Sequence, residues 1–135
     1  MNLEENYIAI SGDEKEDFFF DTYAFFEILK NNENYEKYIS AGVVTTKLNL
    51  FELYLGVLRE VGEQEAENVF DKYYPFVRDF DAEVIKEAAK LKKLINKRNV
   101  SMADCIGYVL AKQWGIKFLT GDKEFEDLEN VEFVK

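Results

Sequence analysis

The fold this sequence predicts is a single three-layer α/β domain, a parallel sheet covered by helices on both faces, and three observations predict it. Short apolar runs alternate along the chain with longer helical stretches, as strands and crossover helices do. The runs are too short and too uniformly apolar to stand exposed on either face. The 135 residues suffice for one domain burying roughly 68% of its unfolded surface, and not for two.

Taken in order, residues 1–17 hold six acids against one lysine, a balance of −5 and half of the chain's net −10. Within them Tyr7-Ile8-Ala9-Ile10 precedes a Ser11-Gly12-Asp13 turn, and this acidic extension reads either as an edge strand or as a flexible segment. The domain proper is residues 18–135. Its expected strands are Phe18-Phe19-Phe20, Val43-Val44, Phe76-Val77, Lys117-Phe118-Leu119 and Val131-Glu132-Phe133-Val134. Helical patterns fill about 22–31, 35–40, 46–60, 63–74, 82–98 and 101–114. Pro75, the only proline, marks the break between helix and strand.

Composition narrows the chemistry. With no histidine, the chain builds no Ser-His-Asp or Cys-His nucleophile, no HExxH zinc site and no His-based RNA transphosphorylation. Any catalysis falls to carboxylates and a metal. The lone Cys105 forms no internal disulfide, and neither a signal peptide nor an apolar run of about 18 residues is visible, so a reduced, cytoplasmic setting without a membrane is expected. Hydrophobic content of 47%, with 12 Phe and 8 Tyr, argues against disorder. The net charge disfavours a general basic grip on nucleic acid.

Ligands of open α/β sheets bind beyond the carboxyl ends of the strands, which directs attention to acids placed there. Asp21 follows Phe18-Phe19-Phe20 and opens a helix with Thr22; it reads as an N-cap or as part of a functional rim. Asp122 follows Phe118-Leu119-Thr120-Gly121 in the same way. In the apolar stretch 48–58, Asn49, Glu52, Gly56 and Arg59 form one narrow polar stripe at helical spacing, which faces water or a cleft, with Arg59 a local charge partner on the first reading. The rest of that helix is expected to be buried on most sides. Asp104, three residues after Ser101, reads equally as a capping-box acid and as a site acid.

Four stretches in order resemble the PIN-domain family, in particular its compact VapC-type toxins. They are Phe18-Phe19-Phe20-Asp21-Thr22; Val44-Thr45-Thr46 leading to Asn49-Leu50-Phe51-Glu52-Leu53-Tyr54-Leu55-Gly56; Ser101-Met102-Ala103-Asp104-Cys105-Ile106; and Phe118-Leu119-Thr120-Gly121-Asp122-Lys123-Glu124-Phe125. The resemblance implies strand order 3-2-1-4-5 and a metal-dependent site of Asp21, Glu52, Asp104 and Asp122, with the Thr120 hydroxyl near the fourth acid. It further implies an endoribonuclease leaving 5′-phosphate and 3′-hydroxyl ends, the toxin of a type II pair held inactive by a VapB-type antitoxin. A PIN nuclease of RNA maturation or decay, and a non-catalytic module binding RNA or protein, are the alternatives. Two departures from the family pattern stand out: the 17 residues ahead of the first strand, and Tyr23 where a small polar residue is usual.

The chemistry suits those residues. Two carboxylates about 4 Å apart repel by roughly 4 kcal/mol at an effective dielectric of 20, a cost that a divalent cation relieves. Ligands that are all oxygen favour Mg²⁺ or Mn²⁺. Residues 18–135 carry 21 acids and 16 bases, and with the four implied ligands set aside only −1 remains. Lys86, Lys90, Lys93 and Lys97 then lie within about 60° on one helix face, either a solvated face or a grip on RNA phosphates. Tyr23, Phe25, Phe26, Tyr35 and Tyr38 serve either the core or the face of a homodimer.

Overall fold

The computed structural model describes residues 15–135; the segment Tyr7–Ile10, read as an edge strand or a flexible extension, and the turn expected after it lie outside the described residues. Four strands, β1 (Asp17–Phe20), β2 (Gly42–Val44), β3 (Lys117–Thr120) and β4 (Val131–Phe133), pair in parallel in the order β2-β1-β3-β4. Five α-helices join them: α1 (Thr22–Leu29), α2 (Lys47–Glu60), α3 (Glu63–Tyr73), α4 (Ala82–Leu94) and α5 (Met102–Trp114). Among the described residues no helix is long and apolar enough to cross a membrane.

Strand β1 shows why there are three layers. Alternate side chains leave a strand on opposite faces, and all three phenylalanines here are buried. Phe18 and Phe20 pack with α1, α2 and α3 through Ala24, Phe25, Leu53, Val57 and Val69. Phe19 joins the other core with Val84 and Ala88 of α4 and Ile106, Leu110 and Trp114 of α5. Register pairs Phe19 with Phe118 of β3, and their rings stack at 5.6 Å. Phe25, Tyr35 and Tyr38 go to the core, whereas Tyr23 and Phe26 stay half-buried. Helix starts follow local chemistry: the side chains of Thr46, Asp81 and Ser101 each accept a backbone N–H at the openings of α2, α4 and α5.

Four local expectations are corrected. Phe76-Val77 is no strand: Pro75 sits in a 3-10 turn, Tyr74–Phe76, and only a single parallel bridge, Thr45 to Val77, survives beside β2. That bridge still occupies the outer place of the expected order. The helix expected over 35–40 is a 3-10 helix, Glu33–Tyr38, started by Asn32. Helix α4 stops at Leu94, where Ile95 leaves helical geometry (φ −107°, ψ 36°), and beyond it Arg98 bonds Asp127 (2.7 and 3.0 Å) and the Glu124 carbonyl (2.6 Å). Lys97 therefore lies beyond the helix that carries Lys86, Lys90 and Lys93. Finally, α2 is not buried on most sides, since Phe51 is 68% exposed and Leu58 39%.

Gly107 lets α5 press onto the sheet. A Cβ there would stand 2.6 Å from Phe19 and 3.2 Å from Phe118, rings that are themselves fully buried and stacked. Gly107→Ala is expected to lower stability by about 1–3 kcal/mol in chemical denaturation, because overpacking of fixed rings outweighs the gain of roughly 1 kcal/mol in helix propensity.

Candidate active site

Strand order reverses between β1 and β3, and in open parallel sheets the crevice beyond such a point receives ligands. Asp21 follows β1 directly, and Asp122 follows β3 after one glycine. A cavity of about 610 Å³ opens there, and its lining includes Asp21, Glu52, Asp104 and Asp122 together with Arg59. Four acids separated by up to 101 positions in the chain thus share one cavity.

Asp21 stands at the N-cap position of α1 yet makes no side-chain cap; its backbone carbonyl accepts from Ala24 and Phe25 instead. The side chain is 2% exposed. Its Oδ2 accepts from the Thr120 hydroxyl at 2.8 Å, and its Oδ1 is buried without a hydrogen-bond partner. Burial first, and the neighbouring Asp104 charge second, push its carboxyl well above the usual carboxylate range. Thr120 is itself fully buried and accepts the Asp122 backbone N–H at 3.1 Å, so one hydroxyl ties the ends of β1 and β3 together. The glycine between them is required by close approach: a Cβ at Gly121 would lie 2.3 Å from the Val134 carbonyl and 2.4 Å from the Tyr23 ring. Tyr23 is thus accommodated against Gly121 at the cavity wall.

Glu52 reaches the cavity from α2, on the side of the Asn49-Glu52-Gly56-Arg59 stripe. Its Oε1 accepts from the Thr22 hydroxyl at 2.7 Å; burial, then Asp104, raise its pKa, while Thr22 opposes the rise. Asp104 completes a capping box, its Oδ2 accepting from Ser101 N–H at 2.8 Å while Ser101 Oγ accepts from Asp104 N–H at 3.0 Å. Asp122 caps the 3-10 helix Lys123–Phe125 through Oδ1, which accepts from Glu124 N–H.

These bonds share one pattern. Each of the four carboxylates has one oxygen held by a protein donor, Thr120, Thr22, Ser101 or Glu124, and a second oxygen with no protein donor among the described residues. Among those residues no three carboxylates stand close enough to form a ready-made metal cage. The buried, partnerless Asp21 Oδ1 and the all-oxygen donor set fit a hard divalent cation.

The four acids that the family pattern singled out all line the cavity, and Thr120 bonds Asp21; Thr22, Asn49 and Arg59 were visible in the sequence without the places that the structure gives them. Thr22 and Asn49 bond each other at 3.1 Å behind Glu52, a link signalled only by Thr22 following Asp21 and by the three-residue Asn49–Glu52 spacing. Arg59 lines the cavity and forms no ion pair among the described residues, so its reading as a local charge partner gives way to one as the cavity's cation. None of Lys86, Lys90, Lys93 and Lys97 lines this cavity. All four are exposed, and Lys90, 3.3 Å from Glu87, borders a separate groove of about 560 Å³ between α4 and α5.

Solved structures share this architecture. A toxin of Mycobacterium tuberculosis, VapC20, described as cleaving the sarcin–ricin loop, aligns with a TM-score of 0.72 at 18% identity, over 87% of this chain and 99% of its own. VapBC2 from Rickettsia felis, bound to a DNA fragment from its promoter, aligns at 0.67 and 15% identity, over 88% and 99%. FitAcB from Neisseria gonorrhoeae aligns at 0.62 and 19% identity, over 86% and 96%. These likenesses establish the fold. A search of the curated proteins by sequence found no match. The PIN domain family model, however, matches residues 18–131, a span that runs from the first buried strand through all four acids of the cavity. On that match, and on the parallel sheet that carries it, the chain belongs to the PIN domain family.

Proposed function

We propose that this protein is a divalent-metal-dependent endoribonuclease and the toxin component of a toxin–antitoxin pair. The observation that carries the reading is the set of four carboxylates on one cavity, each oriented through one oxygen and open at the other. Asp21, Glu52, Asp104 and Asp122 would hold Mg²⁺ or Mn²⁺. When bound, the cation supplies neutralisation of the phosphodiester charge and acidification of water.

The chain's own residues do the rest. Thr120 and Thr22 aim Asp21 and Glu52, while Ser101 and the Glu124 N–H aim Asp104 and Asp122. Arg59, exposed at the cavity edge, is suited to the phosphate next to the scissile one. Hydrolysis replaces the P–O3′ bond with a bond from phosphorus to water oxygen, leaving 5′-phosphate and 3′-hydroxyl ends, as the family resemblance implies. A groove of about 670 Å³ adjoins the cavity, sharing Tyr23, Phe26, Gly56 and Arg59 with it and continuing to Leu29, Val57 and Val61. With Val61 68% exposed and Leu29 38%, this apolar border favours an antitoxin partner over a nuclease acting alone.

Four measurements check this reading. In an RNA cleavage assay with Mn²⁺, Asp21→Asn and Asp104→Asn are expected to lose at least about 100-fold in kcat/KM, roughly 2.7 kcal/mol of transition-state stabilisation; activity equal to wild type sinks the assignment. Arg59→Ala is expected to raise KM about tenfold with kcat close to wild type, the loss of one charge-assisted phosphate contact. The third follows from the buried Asp21. Because its pKa is raised on folding, its ionisation weakens the metal-free protein as pH rises from the unfolded value of about 4 through the folded one. In chelator at pH 7, Asp21→Asn is therefore expected to melt above wild type, a difference that closes on acidification below pH about 4. Added Mn²⁺ raises the wild-type Tm and leaves that of the variant in place. Growth arrest on expression, relieved by the product of an adjacent small gene, separates a toxin from a nuclease of RNA maturation.

A further inference from the structure

Asn49 is fully buried, on the first turn of α2, three residues before Glu52. A buried amide costs roughly 1–3 kcal/mol unless its polar atoms are paired, so the residue calls for an explanation. Helix capping does not provide one. Thr46 caps α2 by accepting the Asn49 backbone N–H, and any residue at position 49 offers that group. The side chain goes elsewhere, with Nδ2 donating to Thr22 Oγ1 at 3.1 Å and Oδ1 accepting from Thr46 Oγ1 at 2.7 Å.

The direction of every bond in this chain follows from one end. An ionised Glu52 offers no proton, so the 2.7 Å contact to Thr22 requires the threonine to donate. A threonine hydroxyl has one hydrogen, so toward Asn49 it accepts, and Asn49 must present its NH₂. The Asn49 carbonyl then faces Thr46, whose hydroxyl donates to it while its oxygen receives the Asn49 backbone N–H. Each group has a single role left to it. Were Asn49 absent, the Thr22 hydroxyl would be free to rotate away and give its hydrogen to another acceptor.

We propose that Asn49 is a positioning residue for Glu52: through the Thr22 hydroxyl it holds one carboxylate oxygen in place and keeps the other available to the divalent cation. The second clause rests on the metal-site reading above; the first does not. Outer-shell partners of ligating carboxylates typically change metal affinity by about 10–100-fold when removed.

The test is a double-mutant cycle on Mn²⁺ affinity, read by calorimetry on the full chain, beside the Glu52 carboxyl ¹³C resonance of the metal-free protein. Asn49→Leu and Thr22→Val are each expected to weaken Mn²⁺ binding about tenfold and to move the Glu52 resonance alike. The double variant is expected to match Thr22→Val alone, because one substitution acts through the other. Thr22→Ser, which keeps the hydroxyl, retains wild-type affinity. Asn49→Asp also weakens binding, since a carboxylate at 49 claims the Thr22 proton; it carries the comparison if Asn49→Leu fails to fold. Additive losses in the cycle, or tighter Mn²⁺ binding by Asn49→Asp as a purely electrostatic role requires, overturn the proposal. So does a Glu52 resonance that ignores both substitutions. A wild type that binds no Mn²⁺ while the Glu52 resonance still answers to Asn49 through Thr22 sinks the metal reading and upholds the relay.

Discussion

Everything in this fold leans on one strand buried on both faces. Phe18 and Phe20 anchor one helical layer and Phe19 the other, and the strand lies between β2 and β3 in the sheet. The chain does not leave this interior until after the next residue, Asp21, which is buried as deeply as the phenylalanines before it. A carboxylate in that position has lost its water, and a single threonine hydroxyl does not replace it. The core that stabilises the domain is also what makes the site costly to leave uncompensated.

The same constraint explains how the other acids are held. Asp104 and Asp122 both cap helices, and both line the cavity. Capping and site membership draw on different oxygens of the same carboxylate, so they are one arrangement and not competing explanations. A cap bond fixes the carboxylate's rotation at the cost of one oxygen and leaves the other without a protein donor among the described residues. Thr120 and Thr22 do for Asp21 and Glu52 what the caps do for the other pair. Four carboxyl groups around a common space are thereby oriented by neutral donors.

Much of this was legible in the residues themselves. An acid directly after a uniformly apolar run marks the carboxyl end of a buried strand, as Asp21 does; a polar stripe on an apolar helix faces water or a cleft, and Glu52, Gly56 and Arg59 of that stripe line the cavity while Asn49 is buried behind them. Thr120 was named through its family pattern, and its bond to Asp21 links positions 99 residues apart. What was illegible depended on such distances. The apolar and lysine pattern runs on past Leu94, yet the backbone leaves the helix at Ile95, and Arg98 beyond it reaches Asp127, 29 residues on. Phe76-Val77 has a strand's composition, but Pro75 turns the chain into a 3-10 helix and only one bridge to Thr45 forms. Arg59 read as a charge partner because sequence shows which charges are near in the chain and not which cavity they border.

The sequence by itself determined the fold class, the alternation of layers and the exclusion of histidine chemistry, because composition and hydrophobic periodicity are local properties, and its family pattern singled out the four acids. Only the tertiary structure decided that those acids share a cavity, that one oxygen of Asp21 is buried without a partner, and that Asn49, Thr22 and Glu52 form a directed chain of bonds. It also decided that the lysine stripe lies away from the cavity while Arg59 lines it. The physical reason is one of range. Patterning acts between neighbours along the chain, whereas burial of a charge and the direction of a hydrogen bond are set by whatever the packing of distant segments brings alongside.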